Sequence, residues 1–350
     1  MSLRSKLELA VGRKLVRVPS TWLDRLGDRL HVEVDGNVLD PRVRFAVRLI
    51  ERSSGGEGLQ AFGVEGGREQ FRRFPQLLDP EPPKVRRVDD TEFDGPRGIV
   101  PLRVYWPPGV HDEAPVLVYF HGGGGVVGDL DTHDVPCRLL CRAAECVVVS
   151  VEYALAPEGP FPAGVDDCVA AFRWVRDHPE LWNADGRVAV GGDSMGGNLA
   201  AAVSQQTRHD DAGGPGFQLL IYPMTDPVAS TPSRTAFARG FLLNDDTIAW
   251  FHRTYLRDGD PKDAKVAVLH VDDLRGLAPA YVATAGFDPL RDEGHAYAEA
   301  LRAANVSVHE RCFGDQVHGF IHMTGAVPSA AAALEEVGRA LLAGFKDLAR

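Results

Sequence analysis

A chain of 350 residues, 44% hydrophobic and 25% charged, has the balance of a globular protein and the length for one large core plus an inserted cap. Its formal net charge of −11 excludes a nucleic-acid binder, because neutralising phosphates needs a clustered basic surface. No apolar run approaches the roughly 18 residues of a membrane span, and "MSLRSKLELAVGRKLV" lacks an unbroken apolar stretch with a small-residue cleavage site, so the expected location is cytoplasmic.

In chain order, the first 50 residues carry ten Lys/Arg against six Asp/Glu and read as amphipathic helix. The expected role is a solvated helical face packed on the core, with peripheral contact to an anionic membrane surface as the alternative. "DPEPPKVRR" then reads as a stiff connector. From about residue 100, β-branched runs alternate with helical patterns: "VLVYF", "CVVVSVEY", "RVAVGG", "FQLLIY", "AYVATAG" and "VSVHERCF" are separated by segments such as "DDCVAAFRWVRDH" and "GGNLAAAVSQQTR". That alternation predicts an α/β fold with a mostly parallel sheet covered by helices. Thr225 to about Asp263 breaks the rhythm; there Asn244 is placed to N-cap a helix with Ile248, Phe251 and Tyr255 on one apolar face. The predicted organisation is an N-terminal helical cap segment over 1–55 and a core over 56–350 with a second cap insertion at about 225–263. Cys137, Cys141, Cys146, Cys168 and Cys312 are odd in number without C-x-x-C pairing, so buried reduced thiols are expected.

After the strand "VLVYF" the chain runs into four glycines, and Gly123, Gly125 and Gly128 spell G-x-G-x-x-G. A dinucleotide site would need a helix starting inside that motif, with its N-terminal N–H groups facing a pyrophosphate. Here "DLDTHDVP" intervenes, and Pro136, at home only in a first helical turn, puts the helix start near Asp134. The glycines instead suit a turn whose N–H groups face a developing oxyanion.

That reading demands a nucleophile, and Gly192-Asp193-Ser194-Met195-Gly196 supplies G-x-S-x-G between a strand and a helix, where a serine sits on a sharp, exposed turn. The plain alternative is a serine capping a helix. Serine needs a base, which needs an orienting carboxylate. Asp288, just past a strand and before Pro289, is the favoured acid; Asp292 and Glu293 are rivals expected on the following helix. Of the histidines after Asp288, His295 falls on a helix and His309 in a strand; His318, in a loop after the last strand, is the favoured base and His322 the runner-up.

Taken together, "HGGGGVVGDLDTHD", "YALAPEGPFPAGVDD", "GGDSMGGNLAAAV", "GFDPLRDEGHAYAEAL" and "VHGF" resemble, in order, the hormone-sensitive-lipase-like family of bacterial serine esterases, over about residue 85 to the end. The resemblance implies an α/β-hydrolase fold with a helical cap, a Ser194–Asp288–His318 triad, and an oxyanion hole from Gly123, Gly124 and the N–H of Met195. His121, Asp193 and Glu158 would support the site by ordering its loops. Three positions depart from the family pattern: Gly125 where a bulky residue is common, Met195 for Ala, and Ala154 where "YRLAPE" has Arg.

The expected function is carboxylic-ester hydrolysis on short-to-medium chains through an acyl-enzyme, with no metal or cofactor. The alternatives are an amidase or acyltransferase using the same intermediate, and a non-catalytic ligand receptor on the same fold. The expected partner is a small-molecule ester; a homodimer is compatible with the sequence, a nucleic acid is not.

Overall fold

The computed structural model describes residues 30–53, 55–110 and 113–348. Its centre is an eight-stranded sheet of β1 (Arg87–Gly95), β2 (Gly98–Trp106), β3 (Ala114–Phe120), β4 (Val147–Val151), β5 (Ala184–Asp193), β6 (Phe217–Ile221), β7 (Ala280–Phe287) and β8 (Val308–Val317). The spatial order is β8-β7-β6-β5-β3-β4-β2-β1. β2 runs antiparallel to both β1 and β4, and the other neighbours are parallel. Every residue of β3, β4, β6 and β7 is buried, which is why they read as continuous apolar runs: both faces of the sheet are covered.

Alternation along the strands divides the core into two layers. Val116, Val118 and Phe120 pack with Phe172 of α4 (Ala163–Asp177) and Leu199 of α5 (Met195–Thr207). Leu117 and Tyr119 face the other way, toward Leu140 of α3 (Asp134–Ala143) and Leu341 of α8 (Pro328–Leu348). α3 begins at Asp134, beyond the glycines, so the helix that follows β3 does not start within the G-x-G-x-x-G turn.

The chain before the sheet differs from the all-helical reading. Glu33–Val34 pairs with Asn37–Val38 in a hairpin, turned by Asp35 and Gly36 at φ 54° and 76°, an Asp-Gly pair suited to such a turn. α1 (Pro41–Ser53) follows, and its Val43, Ala46 and Val47 lie in the second core layer. Residues 1–29, which carry much of the basic N-terminal segment, lie outside the described residues. α2 (Gly63–Leu78) occupies a stretch the sequence reading assigned to the core, ahead of the Pro-rich connector. In the insertion, a short helix Pro232–Ala236 precedes α6 (Asp245–Leu256), whose cap is as expected: Asn244 Oδ1 accepts from Thr247 N at 2.8 Å, and Ile248, Phe251 and Tyr255 are buried. α7 (Arg291–Ala303) links β7 to β8. Four cysteines are buried, but Cys312 is exposed on edge strand β8, correcting the expectation that the thiols are buried. Among the described residues no helix is long and apolar enough to cross a membrane.

Candidate active site

β3, β5, β7 and β8 all end at one edge of the sheet, and each delivers one part of the site there, where open α/β sheets place their ligand crevices. At the end of β5, Ser194 holds φ 56° and ψ −118°, a left-handed conformation that costs a non-glycine residue on the order of 1–3 kcal/mol. The surroundings hold it there: its N–H donates to Ile221 O at 2.8 Å, and its carbonyl accepts from Asn198 N at 3.1 Å and Met224 N at 3.2 Å. The turn is so tight that a β-carbon on Gly196 would collide with the backbone of Phe120 at the end of β3.

The Ser194 hydroxyl lies 3.0 Å from His318 Nε2, and His318 Nδ1 lies 2.8 Å from Asp288 Oδ2. Asp288, fully buried after β7, is fixed by Leu290 N donating to its other oxygen at 2.8 Å. With Asp288 accepting the Nδ1 proton, the Nε2 lone pair points at the Ser194 hydroxyl. The ring of Tyr222 lies 4.6 Å from that of His318 and limits its tilt. The rival acids lie on α7 and are engaged elsewhere. Asp292 accepts from Ser233 N at 2.8 Å, and buried Glu293 pairs with Arg234 at 2.8 Å. His322, which lines the same cavity, is packed edge-on to His133 at 4.6 Å with Nδ1 3.7 Å from Asp79, and it is His318 that lies within hydrogen-bond distance of Ser194. His295 lies on α7 beside Glu310, and His309 on β8 stacks on Tyr281, as expected.

After β3, Gly123 and Gly124 hold φ 118° and 62°, and Val126 and Val127 both donate to Gly123 O at 3.0 Å. Among the described residues nothing accepts from the N–H groups of Gly123, Gly124 or Met195, and all three residues line the same cavity as Ser194 and His318. Behind the turn, the imidazole of His121 is fully buried, its Nδ1 2.8 Å from Gly122 O, and it stacks on Tyr153 at 4.4 Å. Burial pushes its pKa down, so it is neutral there. Asp193 Oδ1 accepts from Gly122 N at 2.9 Å and Tyr119 Oη at 2.8 Å, tying the glycine turn to the strand that carries Ser194. Burial alone would raise the Asp193 pKa; His133 and the Tyr119 hydroxyl outweigh it and keep the carboxyl ionised. His133, Asp193 and His322 bring donor atoms within 4.8 Å of one another, a set whose residue types could bind a metal. With Asp193 already holding two donors, the set reads as a structural network.

Glu158 does not reach the triad. It pairs with Arg68 of α2, which also donates to the carbonyls of Val126 and Ala156. Ala154 offers no side chain there; Asp167, which accepts from Ala154 N, pairs instead with Arg97 from the β1–β2 turn. Arg68 was missed by the sequence reading because 90 positions separate it from Glu158 and no local pattern marks it.

The cavity at Ser194 measures about 1000 Å³ and is lined by, among others, Leu49 of α1, Phe71 and Phe74 of α2, and Ile248 and Phe251 of α6. Its lining is mixed: alongside the apolar side chains it includes Glu57, Glu69, Gln70, Gln76 and His252, whose pKa burial pushes down to about 4. A hydroxyl poised against an oriented imidazole, with free N–H groups nearby, can attack an acyl carbon and hold the resulting oxyanion.

A family profile described as "alpha/beta hydrolase fold" matches residues 117–322. The chain is 44% identical to "Carboxylic ester hydrolase LipN" of Mycobacterium tuberculosis, a match covering 89% of this chain and 85% of that protein. It is 34% identical to "Ethyl acetate hydrolase" of Pseudomonas putida, covering 87% and 98%. Among solved structures, the ester-hydrolase EH1AB1 from the metagenome of Lake Arreo, complexed with a derivative of bipyridine phosphonate, superposes with a TM-score of 0.83 at 40% identity, covering 88% of this chain and 99% of that one. The chain belongs to the hormone-sensitive-lipase-like branch of the α/β-hydrolase family and is an esterase-type hydrolase.

Proposed function

We propose that this carboxylic-ester hydrolase works through a Ser194–His318–Asp288 triad and an acyl-enzyme, on esters of short to medium acyl chain. The observation that carries the reading is the continuous relay of 3.0 Å from Ser194 Oγ to His318 Nε2 and 2.8 Å from His318 Nδ1 to Asp288. Ser194 Oγ attacks the ester carbonyl as its proton passes to His318 Nε2, and the carbonyl π electrons move onto oxygen. The N–H groups of Gly123, Gly124 and Met195 receive that oxyanion. As the tetrahedral species collapses, His318 gives its proton to the leaving alkoxide. Water, deprotonated by the same imidazole, then cleaves the acyl-enzyme and restores Ser194. Asp288 keeps the imidazole in the tautomer that can accept at Nε2. His121 and Asp193 hold the glycine turn in register with β5.

The cap in this reading comprises α1, α2 and the 225–263 insertion, and its apolar roof takes the acyl chain. A buried methylene contributes about 0.8 kcal/mol, so each added carbon should raise kcat/KM a few-fold until the pocket is full.

A fluorophosphonate probe tests the reading, since only an activated serine is labelled; wild type should react and Ser194→Ala should not. A panel of p-nitrophenyl esters then gives the chain-length optimum, and labelling that persists in Ser194→Ala would remove Ser194 from the mechanism.

A further inference from the structure

Among the groups outside the triad, Arg68 of the cap helix α2 bonds both to the glycine turn and to the 156–158 segment beside it. Its Nε donates to Val126 O at 2.9 Å and its Nη2 to Ala156 O at 3.0 Å, while Nη1 and Nη2 grip the Glu158 carboxylate at 3.0 and 2.7 Å. Val126 and Ala156 are also bonded to the glycine turn through their N–H groups. Val126 N donates to Gly123 O at 3.0 Å, and Ala156 N donates to Gly125 O at 2.8 Å. Arg68 therefore bridges, from outside, the two strands of chain whose mutual bonding sets where Gly123 and Gly124 point.

We propose that Arg68 is a positioning residue for the oxyanion hole, so that the cap helix α2 braces the catalytic turn as well as roofing the pocket. The inference rests on the acyl-enzyme reading above. A guanidinium suits the task because its planar fork serves two carbonyls and a carboxylate at once, whereas an ammonium is a single point of charge. The family pattern's Arg is missing at Ala154, and the guanidinium at this loop comes instead from a helix far away in sequence. A second contact holds α2 to the same region without touching the carbonyls of the turn: Arg72 Nε lies 2.5 Å from Asp129 Oδ2. It serves as a control for helix docking.

The experiment compares Arg68→Ala, Arg68→Lys and Arg72→Gln with wild type, using a p-nitrophenyl ester and a trifluoromethyl ketone that forms a tetrahedral adduct with the active-site serine. Loss of a whole oxyanion donor costs about 10²–10³ in kcat, so a displaced turn in Arg68→Ala should lower kcat by about 10- to 100-fold, with KM changed much less. The ketone Ki should rise by the same factor as kcat/KM falls, because both report binding of an oxyanion. Arg68→Lys should fall between wild type and Arg68→Ala, and Arg72→Gln should lose thermal stability with a much smaller change in kcat. The proposal is overturned if folded Arg68→Ala keeps kcat and Ki within about twofold of wild type. It is equally overturned if Arg72→Gln matches the kinetic loss of Arg68→Ala. Should Arg68→Ala fail to fold, Arg68→Lys carries the test by the same criterion. Full activity in Ser194→Ala would instead sink the acyl-enzyme reading, an outcome separate from these.

Discussion

The ring of Tyr255 fills the space that any side chain at position 125 would need: a β-carbon built on Gly125 collides with it, and Gly125 itself holds φ 69°. The room left by a glycine at this departure from the family pattern is thus occupied by Tyr255 of α6 and is not added to the substrate pocket. Gly125→Ala should destabilise the fold by about 1–3 kcal/mol from the strained backbone alone, with overpacking against the ring in addition. Measured by denaturant unfolding, the penalty should shrink in a Tyr255→Ala background; an unchanged penalty would mean the ring is not the obstacle.

Removing the hydroxyl in Ser194→Ala should lower kcat by something on the order of 10³ to 10⁶ without unfolding the protein. His318→Ala should be comparably damaging. His322→Ala should leave kcat near wild type, since His322 lies against His133 and Asp79. Steady-state kinetics on the three purified variants decide the assignment, and greater damage from His322→Ala than from His318→Ala would exchange the two roles.

A histidine that must accept the Ser194 proton works only when neutral. On the acid side kcat/KM should therefore fall with a limiting slope of about one decade per pH unit, the mark of a single essential base. A pH-rate profile that is flat down to the onset of acid unfolding would contradict a histidine base.

Near the glycine turn, burial pushes the Glu152 carboxyl up from 4.5 to about 7; Asp129 and Asp131 add to the shift, while Leu130 N–H and Arg72 oppose it. Between those values the folded protein holds a proton that the unfolded chain has lost, so unfolding releases a proton and stability falls as pH rises. Glu152→Gln keeps an acceptor for Leu130 N, which bonds Glu152 at 2.8 Å, but has no charge to bury. The variant should melt above wild type at pH values beyond 7, and the gap should close toward pH 4.5. Parallel melting curves across that range would show that Glu152 is ionised in the fold.

Leu49 on α1 and Phe74 on α2 line the cavity. Trimming either to Ala should flatten the gain in kcat/KM per added acyl carbon while sparing acetate esters, because acetate has no chain to cover. Point variants are the right probe, since deleting the N-terminal 50 residues would also remove Leu39, Val43, Ala46 and Val47 from the core. An unchanged chain-length profile in both variants would make these helices scaffold and not lid.

The sequence by itself determined the parts of this protein whose physics is local. Apolar runs such as "VLVYF" and "FQLLIY" announce strands buried on both faces; Asn244 announces a helix start; Ser194 between strand and helix, with glycines on both sides, announces a sharp turn. The edge strand β1, "RVDDTEFDG", was not legible, because only Phe93 in it is buried and its polar residues give no periodic signal. The Asp-Gly hairpin at 35–36 did carry a signal that the helical reading overrode. The sequence favoured Asp288 and His318 over their rivals, but their meeting at Ser194 is a tertiary relationship. Asp288 and His318 are 30 positions apart and converge because β7 and β8 are parallel neighbours ending at the same edge. The same holds for Arg68 and Tyr255: the first reaches Ala156 from a helix 88 positions away, and the second fills the space above Gly125. Neither relation has a period or a spacing in sequence, because both are set by how separately formed elements pack against one another.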